Sequence, residues 1–185
     1  GPVLALEALR RAPPGTELLF ANEGPEEPRL RRRVVELGLE GRVRFLGRVP
    51  RARCFELVRE AGCVLFAGTN EDGGCALVEA MLLGAPVVVL AHSGPAEIVE
   101  RWGTDPSRAL LVPPGAPAAV AAGMAEAIGR LLARPPRGHE AHLDQAGATL
   151  VFMGLLEAAM AATAACRSPA EPVAARPTEP ALPTP

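Results

Sequence analysis

The run Cys63-Val64-Leu65-Phe66-Ala67-Gly68-Thr69-Asn70-Glu71-Asp72-Gly73-Gly74-Cys75-Ala76-Leu77-Val78-Glu79-Ala80-Met81 holds three patterns in succession. Cys63–Ala67 has no polar residue, which suits a strand buried on both faces. Thr69–Gly74 carries two carboxylates and two adjacent glycines. The residues that follow read as a helix, apolar on nearly every side, with one carboxylate, Glu79, near its start. Glutamate is rarely buried without a partner or a ligand. Glycines let a ligand approach the backbone, and a helix N-terminus presents N–H groups to an anion.

The same alternation extends in both directions. Helices are predicted over Val3–Arg11, Glu26–Leu37, Arg51–Glu60, Ala76–Leu83, Pro95–Arg101 and Pro117–Ala133. Strands are predicted over Glu17–Ala21, Arg42–Leu46, Cys63–Ala67, Val87–Leu90 and Ala109–Val112. Val87–Leu90 also lacks polar alternation. Apolar strands separated by helices imply a parallel sheet covered on both faces, an α/β, Rossmann-like doubly wound fold. Ligands of such sheets bind at the carboxyl ends of the strands, where the Gly-rich loop sits. Gly138–Cys166 is helical by composition, and Arg167–Pro185, rich in Pro and Ala, has no core-forming pattern and reads as a disordered tail.

Composition narrows the function classes. The chain has 185 residues, 49% hydrophobic and 22% charged, with a formal net charge of −2. Nothing there favours nucleic acid or an anionic membrane as partner. All 19 basic residues are arginine, an outcome of a GC-rich coding bias rather than a binding signature. Cys54, Cys63, Cys75 and Cys166 show no CxxC spacing, so free thiols in a reducing, cytoplasmic compartment are expected. Cys75 itself reads as a small buried side chain. No apolar run approaches the roughly 18 residues of a membrane span. His139 and His142 have helical spacing but no third ligand, so no metal site is expected.

Several segments together resemble the C-terminal, donor-binding half of retaining GT-B glycosyltransferases of family 4. They are Gly24-Pro25-Glu26; Leu37-Gly38-Leu39-Glu40-Gly41-Arg42-Val43-Arg44-Phe45-Leu46-Gly47-Arg48-Val49-Pro50; Glu71 to Glu79 continuing to Gly84-Ala85-Pro86-Val87-Val88; Ser93-Gly94-Pro95-Ala96-Glu97-Ile98-Val99; and Leu111-Val112-Pro113-Pro114-Gly115. They stand in the family's order over roughly residues 1–133. The family places two glutamates with seven residues between them, and Glu71 and Glu79 have that spacing. The resemblance implies a nucleotide-sugar as substrate, a UDP- or GDP-hexose, with no separate cofactor. It gives Glu71 the donor-sugar hydroxyls, the catalytic role, and Glu79 the nucleotide ribose. The diphosphate falls to the backbone of Gly74, Cys75 and Ala76 beside Gly73, and the base to the neighbourhood of Arg48 and Val49. Asp72-Gly73-Gly74 departs from the commoner Gly-Phe-Gly of the family, which bears on which sugar is taken. Without the resemblance, Glu71 is a loop carboxylate, Glu79 a charge near a helix start, and Gly73-Gly74 a tight turn.

The family also has parts that find no counterpart here. These are an N-terminal acceptor-binding domain, the first strand of the donor domain, and the basic residues after that strand that neutralise the diphosphate. In the order 3-2-1-4-5-6 that strand is central. Its neighbours would then carry unpaired, buried edges. The expectation is an incomplete fragment or a sheet rearranged to close the gap. The domains expected are 1–133, nucleotide-sugar-binding; 134–166, helical, with Leu143–Ala165 the segment placed to cross back to the first domain; and 167–185, tail. The function expected is the donor-binding part of a hexosyltransferase, inactive by itself, with any membrane contact made by the acceptor domain. The alternatives are a non-catalytic nucleotide-binding or interaction module and, ranked lower, a nucleotide-sugar epimerase of the same architecture.

Overall fold

The computed structural model describes residues 1–21, 23–68, 74–102, 105–133 and 149–153, with residues 93, 102 and 149–153 described through the backbone. Helix α1 (Pro2–Arg11) leads to strand β1 (Glu17–Ala21), α2 (Glu27–Glu36) to β2 (Val43–Phe45), and α3 (Arg51–Glu60) to β3 (Cys63–Phe66). Then come α4 (Cys75–Leu82), β4 (Val87–Leu90), α5 (Ser93–Trp102), β5 (Ala109–Val112), α6 (Pro117–Leu132) and β6 (Thr149–Met153). The first eleven elements match the expected ones to within two residues at each end.

The strands form one parallel sheet in the order β2-β1-β6-β3-β4-β5. Side chains of a strand alternate between faces, and the burial follows that rule. Leu18, Phe20, Cys63, Leu65, Val88 and Leu90 join one core with α1, α2 and α6. Leu19, Val64, Phe66, Val87 and Val89 join a second core with α3, α4 and α5. Both faces are therefore covered, as the unbroken apolar strands require. Helix α6 lies so close to β5 that a Cβ on Gly123 would come within 2.9 Å of Val112 Cγ1.

The centre of the sheet differs from the helical reading of Gly138–Cys166. Thr149–Met153 is a strand, inserted between β1 and β3 and parallel to both. Leu18 faces Leu150 and Phe20 faces Phe152 on one side, and Val64 faces Val151 on the other. The expectation of a sheet rearranged to close a central gap is met at this position, where another segment fills it. The physical reason is pairing. Thr149, Val151 and Phe152 are residues that favour strands, and the slot offers a ladder on each side, which outweighs the Ala-rich composition around them. Residues 134–148 and 154–185, including most of Leu143–Ala165, the whole tail and both His139 and His142, lie outside the described residues.

Helix α1 is tied to α2 at the surface. Glu7 accepts hydrogen bonds from Arg11 in its own helix and from Arg33 in α2, and these two guanidinium groups hold its carboxyl below the usual carboxylate range. Among the described residues no helix is long and apolar enough to cross a membrane.

Because β6 pairs on both sides, a proline there removes a ladder donor in the middle of the sheet. Val151→Pro is expected to cost about 1–3 kcal/mol for the carbonyl left unpaired, with the clash of the ring added. Thermal unfolding followed by circular dichroism should show a large drop in the midpoint or loss of cooperativity. An unchanged melting curve would mean that β6 does not contribute to the stability of the sheet.

Candidate functional site

All six strands are parallel, so their carboxyl ends share one edge of the sheet. Along it lie the segments after β1, β2, β3 and β4, and also the start of α1. A Cβ on Gly1 would sit 3.4 Å from the Ala67 carbonyl oxygen, one residue beyond β3. The starts of α1 and α4 thus flank the same loop.

Helix α4 begins at Gly74, whose φ of 49° is left-handed. Two constraints select glycine here. The backbone conformation disfavours a side chain, and a Cβ would run into Ile98 Cδ1 of α5. Among the described residues no side chain caps the helix, and its first intrahelical hydrogen bond runs from Val78 N–H to the Gly74 carbonyl. The N–H groups of Cys75, Ala76 and Leu77 precede that bond and point toward the edge, at the positive end of the helix dipole. Ala76 and Leu77 are buried. Cys75 is exposed, contrary to the small buried side chain expected from the sequence. As the first residue of the helix it stands at the rim, while the positions that follow face the core.

Glu79 stands about one turn further along α4 and is half-buried. Its Oε1 accepts a hydrogen bond from the guanidinium of Arg51, the first residue of α3. Arg51 also lies over the Phe55 ring, 5.1 Å from its centroid. Cys54 sits beneath. Its thiol donates to the Val49 carbonyl at 3.7 Å, and burial, followed by the Glu79 charge, pushes its pKa up. Val49 is partly buried against the same core, and Arg48 is exposed. Val49 thus accepts from Cys54, whereas Arg48 is exposed. Cys63, inside β3, is wholly buried and its thiol is pushed up to about 12.

At the ends of β1 and β2 the same edge opens into a cavity of about 670 Å³, lined by Glu23, Gly24, Glu27, Arg31, Phe45 and Gly47 among others. Phe45 stacks on Phe20 with ring centroids 5.0 Å apart, and the Arg31 guanidinium lies 4.4 Å from the Phe45 centroid. Asn22–Pro25 reads from sequence as a turn with a secondary role as pocket wall. Glu23 and Gly24 do line the cavity, and Asn22 lies outside the described residues.

A family model for glycosyl transferases group 1 matches residues 1–134. The chain belongs to that family. Among solved structures, it is similar to Alr3699/HepE of Anabaena, determined in complex with UDP and glucose, at 27% identity and a TM-score of 0.54. The match covers 70% of this chain and 38% of HepE. The chain therefore spans well under half the length of that relative. A comparison with curated proteins gave no match.

As a group 1 glycosyl transferase domain, the chain has the parallel, doubly covered sheet of part of a GT-B fold. Of the residues singled out in the sequence, Gly74, Cys75, Ala76, Val49 and Glu79 are brought to one stretch of the sheet edge. Glu71 and Gly73 lie outside the described residues. Ser93-Gly94-Pro95, a loop by sequence, opens α5; His92 precedes that helix, Glu97 lies within it, and both are exposed. Among the described residues no group of three or more His, Cys, Asp or Glu side chains could hold a metal ion. The sequence reading missed Arg51. A cation in the first turn of a helix opposes the dipole, and that misplaced charge was the available signal that a carboxylate would meet it.

Gly74→Ala tests the local design. A left-handed alanine costs about 1–2 kcal/mol, and Ile98 must also yield. Urea unfolding should register a loss of that size, and adding Ile98→Val should recover the steric part only. A neutral Gly74→Ala would contradict the left-handed helix start.

Proposed function

We propose that this chain is the donor-binding part of a retaining glycosyltransferase that moves a hexose from a UDP- or GDP-sugar to a glycan, lipid or small acceptor. The observation that carries the reading is the start of α4. A helix N-terminus at the carboxyl end of β3, with no side-chain cap among the described residues and a half-buried carboxylate one turn above it, suits a diphosphate joined to a ribose. Backbone N–H groups of Gly74, Cys75 and Ala76 would stabilise the charge that grows on the departing diphosphate. Glu79 would accept the ribose hydroxyls. Glu71, by its place in the family signature, would hold the donor sugar. Val49 and Arg48 would lie toward the base. The UDP and glucose bound by HepE favour uridine among the bases and glucose among the sugars.

A transferase must also hold an acceptor, and this reading gives the chain the donor alone. The expected outcome for the purified 185-residue chain is therefore binding without transfer. Calorimetric titration with UDP, GDP and UDP-glucose should show saturable binding to one base, weakened about tenfold or more in Glu79→Ala, the scale of one lost charged hydrogen bond. No binding by the folded chain would defeat the reading. Turnover of a nucleotide-sugar above buffer would defeat the expectation of inactivity.

The exposed thiol at the helix start offers a second check. Iodoacetamide at neutral pH is expected to label Cys75 and to leave the buried Cys63 unmodified, as read by peptide mass spectrometry. Saturating nucleotide should slow labelling of Cys75. Labelling at the same rate with nucleotide bound would place the diphosphate elsewhere.

A further inference from the structure

We infer that Arg51 is a specificity-determining residue: by neutralising Glu79, it lets this site take a nucleoside diphosphate in preference to the uncharged nucleoside. The inference rests on the proposed reading of Glu79 as the ribose ligand.

The argument begins with a conflict. Glu79 is the only charged residue of α4, whose sequence is Cys-Ala-Leu-Val-Glu-Ala-Met-Leu. At 1.5 Å of rise per residue it stands about 6 Å along the axis from Cys75. A diphosphate held by the first N–H groups of the helix would lie about that far from a carboxylate of the same sign. That separation is shorter than the Debye length of about 8 Å at physiological salt, so mobile ions do not remove the repulsion. The group suited to bind ribose is thus badly placed for the phosphates attached to it.

Arg51 resolves the conflict. Its guanidinium bonds Glu79 directly, and it reaches that position from a different helix. The dipole of α3 disfavours a cation there: Arg51 follows the N-cap Pro50, at the positive end, with no side-chain cap. Two contacts outside its own first turn hold it, the Glu79 carboxylate and the Phe55 ring. Its side chain is 76% exposed while that of Glu79 is 30% exposed, so the positive charge beside the carboxylate is the one more open to solvent. A carboxylate oxygen has more than one lone pair, and Arg51 engages Oε1 only. Ribose hydroxyls can therefore be accepted without expelling Arg51.

The test compares charged and uncharged forms of one ligand on the full chain. UDP is titrated by calorimetry and uridine by ligand-observed NMR, with GDP and guanosine as the second pair. In Arg51→Ala, affinity for the diphosphate should fall by about three- to tenfold, the scale of one uncompensated charge at this distance in a partly solvated site. Affinity for the nucleoside should stay within about twofold. Arg51→Lys keeps the charge and should retain diphosphate binding. Arg51→Ala combined with Glu79→Gln removes both charges and should return the diphosphate-to-nucleoside ratio toward that of the unaltered chain. Equal weakening of both ligands in Arg51→Ala would overturn the inference and leave Arg51 as a support for the Glu79 rotamer. An unchanged ratio in Arg51→Ala would overturn it as well. A chain that binds neither nucleotide defeats the proposed function, and the inference with it. Binding that survives with its ratio unmoved defeats the inference alone.

Discussion

A buried backbone N–H or carbonyl must be paired, and in a sheet covered on both faces the pairing has to come from neighbouring strands. The rest of this structure depends on that requirement being met between β1 and β3. Their residues Leu18, Cys63, Val64 and Leu65 are fully buried, so water cannot satisfy the backbone there. Thr149–Met153 supplies the ladder on both sides. With the slot filled, the β2-β1 pair and the β3-β4-β5 group become one sheet. Each helix layer then has a continuous surface to cover. Without it, α1 and α6 would pack over a seam of unpaired polar backbone.

Continuity of the sheet also positions the site. Parallel strands deliver their carboxyl ends to one edge, so loops distant in sequence become neighbours there. Residues 46–50 follow β2, residues 67–74 follow β3, and the start of α1 reaches Ala67 from the N-terminal side. The contact between α3 and α4 then brings Arg51 to Glu79, and the Cys54 thiol joins Val49 to the same cluster. Arg51 and Glu79 stand 28 residues apart in sequence. They meet because each helix is returned by its strand to the same end of the sheet.

The eleven elements from α1 to α6 were legible because each shows its own local pattern. Val87–Leu90 is apolar throughout, Gly38 follows α2 at a φ of 65°, and Gly84 follows α4 at 73°, so ends as well as types were marked. The need for a central strand followed from the family resemblance and the strand order it implies. Its occupant was not legible, because Thr149–Met153 is a five-residue run within a helix-favouring composition, and only the slot makes it a strand. At the site, Gly74 and Glu79 were legible from type and spacing. Arg51 was not, since its role depends on a contact between two helices. Cys75 was misjudged for a related reason: in a helix apolar on nearly every side, sequence does not distinguish the first residue at the rim from those that face the core.

The two glutamates of the signature differ in how they are carried, and that difference bears on what each can recognise. Glu79 is part of a helix packed into the second core through Ala76, Leu77 and Ala80, and it is held by Arg51. A carboxylate on such a support has little freedom, which suits a group common to all nucleotides, the ribose. Glu71 precedes Asp72-Gly73-Gly74 in the sequence between β3 and α4 and lies outside the described residues. On the proposed reading, it meets the donor sugar, the part of the ligand that varies among such enzymes. The contact common to all nucleotides would thus lie on α4, and the one that varies would fall in the sequence that precedes it. The same sheet and the same α4 start could then serve different sugars with changes confined to a few residues before Gly74.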